Sequence, residues 1–238
     1  MSDEAPVRCS QLLDEGQAHA ALIPVIEYQR IPNLKIASGA CVASKRSVRS
    51  VLLASKIPIT DVRSVALDTT SRTSAVLIQI ILGHFYKIRA SYTTFPPKLA
   101  DMLESNDAGL IIGDPAMLID RTGLHVYDLA EEWLKHTALP FVFAFWAIRS
   151  DATAWFSGGG DEAINFLNAK IEGQAHANDL ANLYSERLGL TRDSLFSYLT
   201  EAICYDLDEE SLRGLELYYQ LAAELGLIEE PRSLLFLD

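Results

Sequence analysis

The stretch SVALDTTSRTSAVLIQIIL, residues 64–82, decides how the rest of the chain is read. Ser64 to Leu67 alternates in polarity and spells a short strand. Asp68 to Thr70 is a polar turn, and Val76, Leu77, Ile80 and Ile81 then recur at helical spacing. Ser71 stands where an N-cap belongs. A strand therefore stops, turns and gives way to a helix among hydroxyl groups and one arginine. The first turn of a helix carries unpaired N–H groups and the positive end of the dipole. Hydroxyls and a guanidinium there make a site for a carboxylate or a phosphate. The same residues also suit an ordinary capped helix with no ligand.

On the N-terminal side, VRCSQLLDEG (7–16) reads as a short helix stopped by Gly16. Ala18 to Val25 is a buried strand, and one helical turn is expected at Ile26 to Arg30. Leu34 to Val42 and Val48 to Ala54 are strand-like runs around the basic turn Ser44–Ser47. Lys45, Arg46 and Arg49 offer charge to an anion, although for Lys45 and Arg46 a solvated hairpin tip is the simpler reading. On the C-terminal side, a strand is expected at Lys87–Thr93 and a helix at Pro97–Glu104. A buried strand follows at Ala108–Ile112, closed by Gly113-Asp114-Pro115. A polar turn straight after a strand is where open α/β sheets place ligands. Asp114 is suited either to a substrate hydroxyl or to capping the helix that begins at Pro115. Val126 to Thr137 has amphipathic helical spacing. Phe141 to Ile148 is apolar throughout, the mark of a central strand buried on both faces. From Asp151 onward the pattern is helical, at about 159–171, 178–188, 193–204 and 208–226. Gly158–Gly160 forms a loop without a nucleotide fingerprint. Alternating strands and helices followed by a helical end define an α/β protein. It is either one doubly wound sheet or two lobes with a cleft between them.

Composition narrows the function. The 238 residues are 49% hydrophobic and 22% charged, with a formal net charge of −12, which argues against nucleic acid and anionic membranes as partners. The longest apolar run, Leu139–Ile148, is far shorter than the roughly 20 residues of a membrane span. No secretory signal is visible in MSDEAPVRCS, and Cys9, Cys41 and Cys204 are scattered, so a reducing cytoplasm is expected. Cys41 lies in an apolar strand context and reads as inert. His19, His84, His125, His136 and His176 show no metal-ligand spacing, and no Gly-x-Ser-x-Gly elbow occurs. Neither metal nor cofactor is expected. What remains is a cleft of hydroxyls, an arginine and helix N-termini, suited to a carboxylate.

Several segments together resemble the chorismate dehydratase family, which opens the futalosine route to menaquinone. They are ALIPVIEY (21–28), VRSV (48–51), VALDTTSRTS (65–74), IIGDPA (111–116), DLAEEW (128–133), LPFVFA (139–144) and LRGLE (212–216), and the resemblance runs from about Ala5 to Ile228. The sister dihydroxynaphthoate synthase resembles the chain less, chiefly around Thr70 to Ser74. The family resemblance implies a two-lobed fold like type II periplasmic binding proteins with a helical C-terminal part. Lobe one would comprise residues 1–56 plus 141–238 and lobe two 57–140, with crossing strands near Leu52–Lys56 and Phe141–Phe145. It further implies a hydro-lyase that takes chorismate in the cleft and yields 3-[(1-carboxyvinyl)oxy]benzoate and water. The substrate's own carboxylate would act as base, so no catalytic side chain is assigned. By the same resemblance Ser71, Arg72, Thr73 and Ser74 bind substrate carboxylate, Ser50 lines the cleft, and Gly113 and Asp114 form its opposite wall. Arg72 has a second reading, as a group that holds the lobes together or pairs with a neighbouring aspartate.

One departure stands out. Family members begin with a strand, a Tyr/Phe-Leu-Asn loop and a helix ahead of the segment matching Ala5–Leu13. Without that unit, the resemblance implies a gap at one side of the cleft and an exposed sheet edge. A small-carboxylate binding protein on the same fold is the alternative from another functional class.

Overall fold

The computed structural model describes residues 6–156 and 165–237. The chain begins with α1 (Pro6–Asp14), β1 (Ala20–Pro24), α2 (Val25–Arg30), β2 (Leu34–Ser44) and β3 (Val51–Ser55). The quoted stretch supplies β4 (Ser64–Asp68) and α3 (Thr73–Ile80). Next come β5 (Ser91–Phe95), α4 (Leu99–Ser105), β6 (Ala108–Ile112), α5 (Gly113–Met117), β7 (His125–Asp128), α6 (Leu129–Thr137) and β8 (Phe141–Arg149). The helical end comprises α7 (Phe166–Ala175), α8 (Ala177–Leu188), α9 (Arg192–Ser197) and α10 (Glu209–Glu224). The Gly158–Gly160 loop and the start of the helix expected at 159–171 lie outside the described residues.

Two sheets organise the molecule. One has the order β1-β8-β2, with the apolar β8 at its centre and antiparallel to both neighbours. The other has the order β5-β4-β6-β3-β7, with β4 parallel to β5 and β6 and with β3 antiparallel to β6 and β7. β1 is an edge strand of the first sheet. The runs around Ser44–Ser47 do not form a hairpin, because β2 and β3 pair into different sheets. That segment is a crossing between the lobes, and it lies before Val51 rather than at 56. The second crossing, residues 138–140, leads from α6 into β8 and turns through Ala138 at φ 57°.

Other boundaries moved for local reasons. Val126 begins no helix, because β7 runs to Asp128. The Asp128 side chain then caps α6 by accepting from the Ala130 and Glu131 N–H groups. The strand expected from Lys87 starts at Ser91 instead. Lys87 takes φ 57°, so the chain turns there before it extends. The helix expected over 193–204 is α9 followed by a π-turn at Tyr198–Ala202.

Helix α10 ties the lobes together. Its buried Tyr218 donates to the Thr73 carbonyl at 3.0 Å and Tyr219 to the Val25 carbonyl at 2.6 Å. Tyr218 packs edge-on against Phe141 and Trp133, with centroids 5.1 and 6.4 Å away. Such pairs add about 0.5–1.5 kcal/mol each beyond their burial. Gly214 lets α10 approach so closely that a Cβ there would sit 2.2 Å from the Pro140 carbonyl oxygen. The start of α3, the start of α2 and the second crossing are thus set by one helix.

Candidate functional site

Because β4 and β6 run parallel side by side, the turns that follow them emerge at the same sheet end. Antiparallel β3 begins there too. This is the end at which open α/β sheets bind ligands. Asp68 closes β4. Its Oδ1 accepts from the Thr70 N–H and hydroxyl at 2.8 and 2.7 Å, and its Oδ2 from the Ile112 N–H at 3.4 Å. That buried carboxylate links the turn before α3 to the end of β6.

Ser71 does not cap α3. Arg72 occupies the N-cap position in helical conformation, and the helix starts at Thr73 without a side-chain cap. The Ser71 N–H closes the turn onto the Asp68 carbonyl at 3.0 Å. Its hydroxyl is buried and has no hydrogen-bond partner. Thr73 and Ser74 are buried as well. The Thr73 hydroxyl donates to the Phe143 carbonyl at 3.2 Å, so it bonds across to the other sheet. Arg72 is exposed and lines a small hollow with Asp14 and Glu27 of α1 and α2.

Ser50, Gly113 and Asp114 come together beside this turn. The Gly113 N–H donates to the Ser50 carbonyl at 2.7 Å, and Gly113 adopts φ 67°. Asp114 does not cap α5, whose N-cap position is Ile112, and its side chain is exposed. The Ser50 hydroxyl meets the Tyr198 phenol at 3.0 Å. Burial pushes that phenol up from its ordinary value and the Asp114 charge adds to the shift, while the Ser50 bond and Arg49 oppose it. Arg49 lies over the Tyr198 ring, 5.7 Å from its centroid.

Asp128 holds the first crossing in place. It accepts from the Ser47 hydroxyl at 2.8 Å, the Val48 N–H at 3.1 Å and the Arg49 N–H at 2.6 Å, besides capping α6. Arg49 sits there at φ 65°, a conformation uncommon for a residue with a side chain. Lys45 is not a free hairpin tip. It pairs with Asp208, the α10 N-cap, at 2.6 Å and with Glu210 at 3.6 Å.

Tyr198 was not legible in the sequence, where it is one more apolar position of a helical pattern. The π-turn that presents it has no local sequence signature. His136 stacks on Phe85 with ring centroids 4.6 Å apart. Burial pushes the Cys41 thiol up and keeps it protonated. A cavity of about 720 Å3 lies elsewhere, against Leu22, Val42, Trp146 and Phe166, and none of the expected site residues lines it. Among the described residues no helix is long and apolar enough to cross a membrane.

Two α/β lobes joined by two crossings, with polar turns gathered at the end of one sheet, define the periplasmic-binding-protein class of fold. The solved structures agree. Protein AF1704 from Archaeoglobus fulgidus matches with a TM-score of 0.69 at 19% identity, covering 95% of this chain and 86% of that one. The periplasmic aliphatic sulphonate binding protein SsuA from Escherichia coli matches with a TM-score of 0.60 at 15% identity, covering 98% and 82%. Within that class, the chain belongs to the menaquinone biosynthesis family, whose model matches residues 1–224. It is 28% identical over 250 residues to the chorismate dehydratase of Thermus thermophilus, covering 95% of this chain and 86% of that protein.

Proposed function

We propose that the chain is a chorismate dehydratase, a cytoplasmic hydro-lyase that forms 3-[(1-carboxyvinyl)oxy]benzoate. The observation that carries this reading is the buried, unpartnered hydroxyl of Ser71 at the start of α3. An orphaned buried hydroxyl costs about 1–3 kcal/mol and is retained where a ligand completes it. Beside it are the unpaired N–H groups of the first helical turn and the Ser74 hydroxyl, a donor set complementary to a carboxylate. Ser50, Gly113 and Asp114 form the facing wall, with the Asp114 carboxylate suited to a ring hydroxyl. Arg72 is exposed and lines a hollow with Asp14 and Glu27.

The reaction asks for orientation more than for a strong base. The ring C–H beside the enolpyruvyl ether breaks and its electron pair enters the ring. The neighbouring C–OH bond breaks, and the departing hydroxide takes up a proton to leave as water. Aromatisation drives the sequence, and a substrate carboxylate held close to that C–H serves as base. The protein's share is to hold both carboxylates and exclude water. The test is to incubate the protein with chorismate and identify the product by mass spectrometry. A product lighter by one water, with loss of the diene absorbance, supports the reading. Chorismate bound but unchanged supports a binding protein instead, and neither binding nor turnover rejects the assignment.

A further inference from the structure

The chain has two arginines near the sheet end, and their surroundings differ. Arg72 is exposed and lines a hollow on the α1–α2 side together with Asp14 and Glu27. Arg49 is placed otherwise. Its backbone is pinned by Asp128 at 2.6 Å, while its guanidinium makes one 3.4 Å bond to the Ser194 carbonyl and lies over Tyr198. A guanidinium has five N–H donors, so most of this set is available to a ligand. The Tyr198 phenol beside it is bonded to Ser50, which ends the first crossing and belongs to the candidate site. Phenol and guanidinium therefore flank Ser50 from the helical side, with Asp114 facing the same phenol.

We propose that Arg49 and Tyr198 form the second carboxylate-recognition pair of the site, the guanidinium supplying charge and the phenol, hydrogen-bonded to Ser50, a further hydrogen bond. This rests on the dehydratase reading and adds to it. A substrate with two carboxylates needs two such sites, and the start of α3 provides only one. The pair holds the carboxylate that does not act as base, whose charge is the same in substrate and transition state, so it binds both alike. Its loss raises KM and leaves kcat nearly intact. The phenol, kept neutral by burial, remains a donor across the physiological range.

The experiment measures kcat and KM for chorismate with the wild type, Arg49→Gly and Tyr198→Phe, alongside thermal unfolding of each. Glycine adopts the φ of 65° freely and keeps the N–H that Asp128 holds, so Arg49→Gly preserves the crossing. The expected result is a KM raised about tenfold or more in Arg49→Gly, with kcat within about threefold of wild type. Free guanidinium at about 10 mM lowers that KM again, a rescue that a purely structural role would not show. Tyr198→Phe raises KM about three- to tenfold when assayed well below its melting temperature, which falls by a few degrees because the buried Ser50 hydroxyl loses its partner. A wild-type KM in either variant overturns the assignment while leaving the dehydratase reading intact. A wild type that neither binds nor converts chorismate overturns both.

Discussion

Replacing Gly214 with alanine tests how tightly α10 governs the lobe junction. On an isolated helix the change is favourable by about 1 kcal/mol, because alanine is the better helix former. Here the added Cβ would lie 2.2 Å from the Pro140 carbonyl oxygen and 3.3 Å from its carbon. Those are backbone atoms of a crossing held between α6 and β8, so no flexible side chain can yield. Helix or crossing must retreat by about 1 Å to reach van der Waals separation. Overpacking of that kind costs about 1–3 kcal/mol. The same carbonyl accepts the buried Trp133 indole N–H at 3.2 Å. Stretching that bond adds about 1–3 kcal/mol for an unsatisfied donor. Subtracting the propensity gain leaves a net destabilisation of about 1–5 kcal/mol. For a chain of this length that lowers the melting temperature by about 2–20 °C. Urea unfolding should show a lower midpoint at unchanged slope. A variant more stable than wild type would mean that α10 does not press on the crossing, and would refute the packing account.

Three further outcomes are expected. Asp128→Ala removes the acceptor of five donors at once and should cost roughly 3 kcal/mol or more in urea unfolding, with a fall in activity as the Arg49–Ser50 segment loosens; a loss below about 0.5 kcal/mol would contradict the role of Asp128 as the anchor of the crossing. Ser71→Ala deletes a hydroxyl that bonds to nothing in the protein, so stability should hold or rise by up to about 1 kcal/mol while kcat/KM for chorismate falls about 10- to 100-fold; a destabilised variant with full activity would oppose the ligand role. Asp208 titrates at about 2, because Lys45 and the Ser211 donors outweigh the upward push of burial. Its folded pKa thus lies below the unfolded value of about 3.9, so its contribution is complete above pH 4 and is lost as pH falls toward 2. The pair is solvent-exposed, which limits that contribution to within about 1 kcal/mol, and Asp208→Asn should flatten stability between pH 4 and 2 by that amount.

Much of this architecture is legible in the residues. The apolar run from Phe141 reads as a central strand because only burial on both faces tolerates it, and it lies between β1 and β2. The turn at Asp68–Thr70 reads correctly because aspartate and threonine bond locally to their own backbone. What the sequence conceals is set by distant partners. Ser44–Ser47 has the composition of a hairpin turn, yet Lys45 is drawn to Asp208 and Ser47 to Asp128, and the chain crosses between sheets. Ser71 has the chemistry of a cap, but its N–H closes a turn on Asp68, which shifts the helix start to Thr73. Arg72 belongs in sequence with the site, yet in space it lines a separate hollow with Asp14 and Glu27. Tyr198 reaches Ser50 across 148 positions of chain, a distance over which local periodicity says nothing.

The central claim is that this sheet end binds chorismate and dehydrates it, with the Ser71 hydroxyl completed by a substrate carboxylate. The most direct measurement is turnover of chorismate by wild type and Ser71→Ala side by side, with product identified by mass and folding checked by thermal unfolding. The account predicts a product lighter by one water from the wild type and a loss of about tenfold or more in the equally stable variant. Equal turnover by both proteins, or none by the wild type, would contradict it.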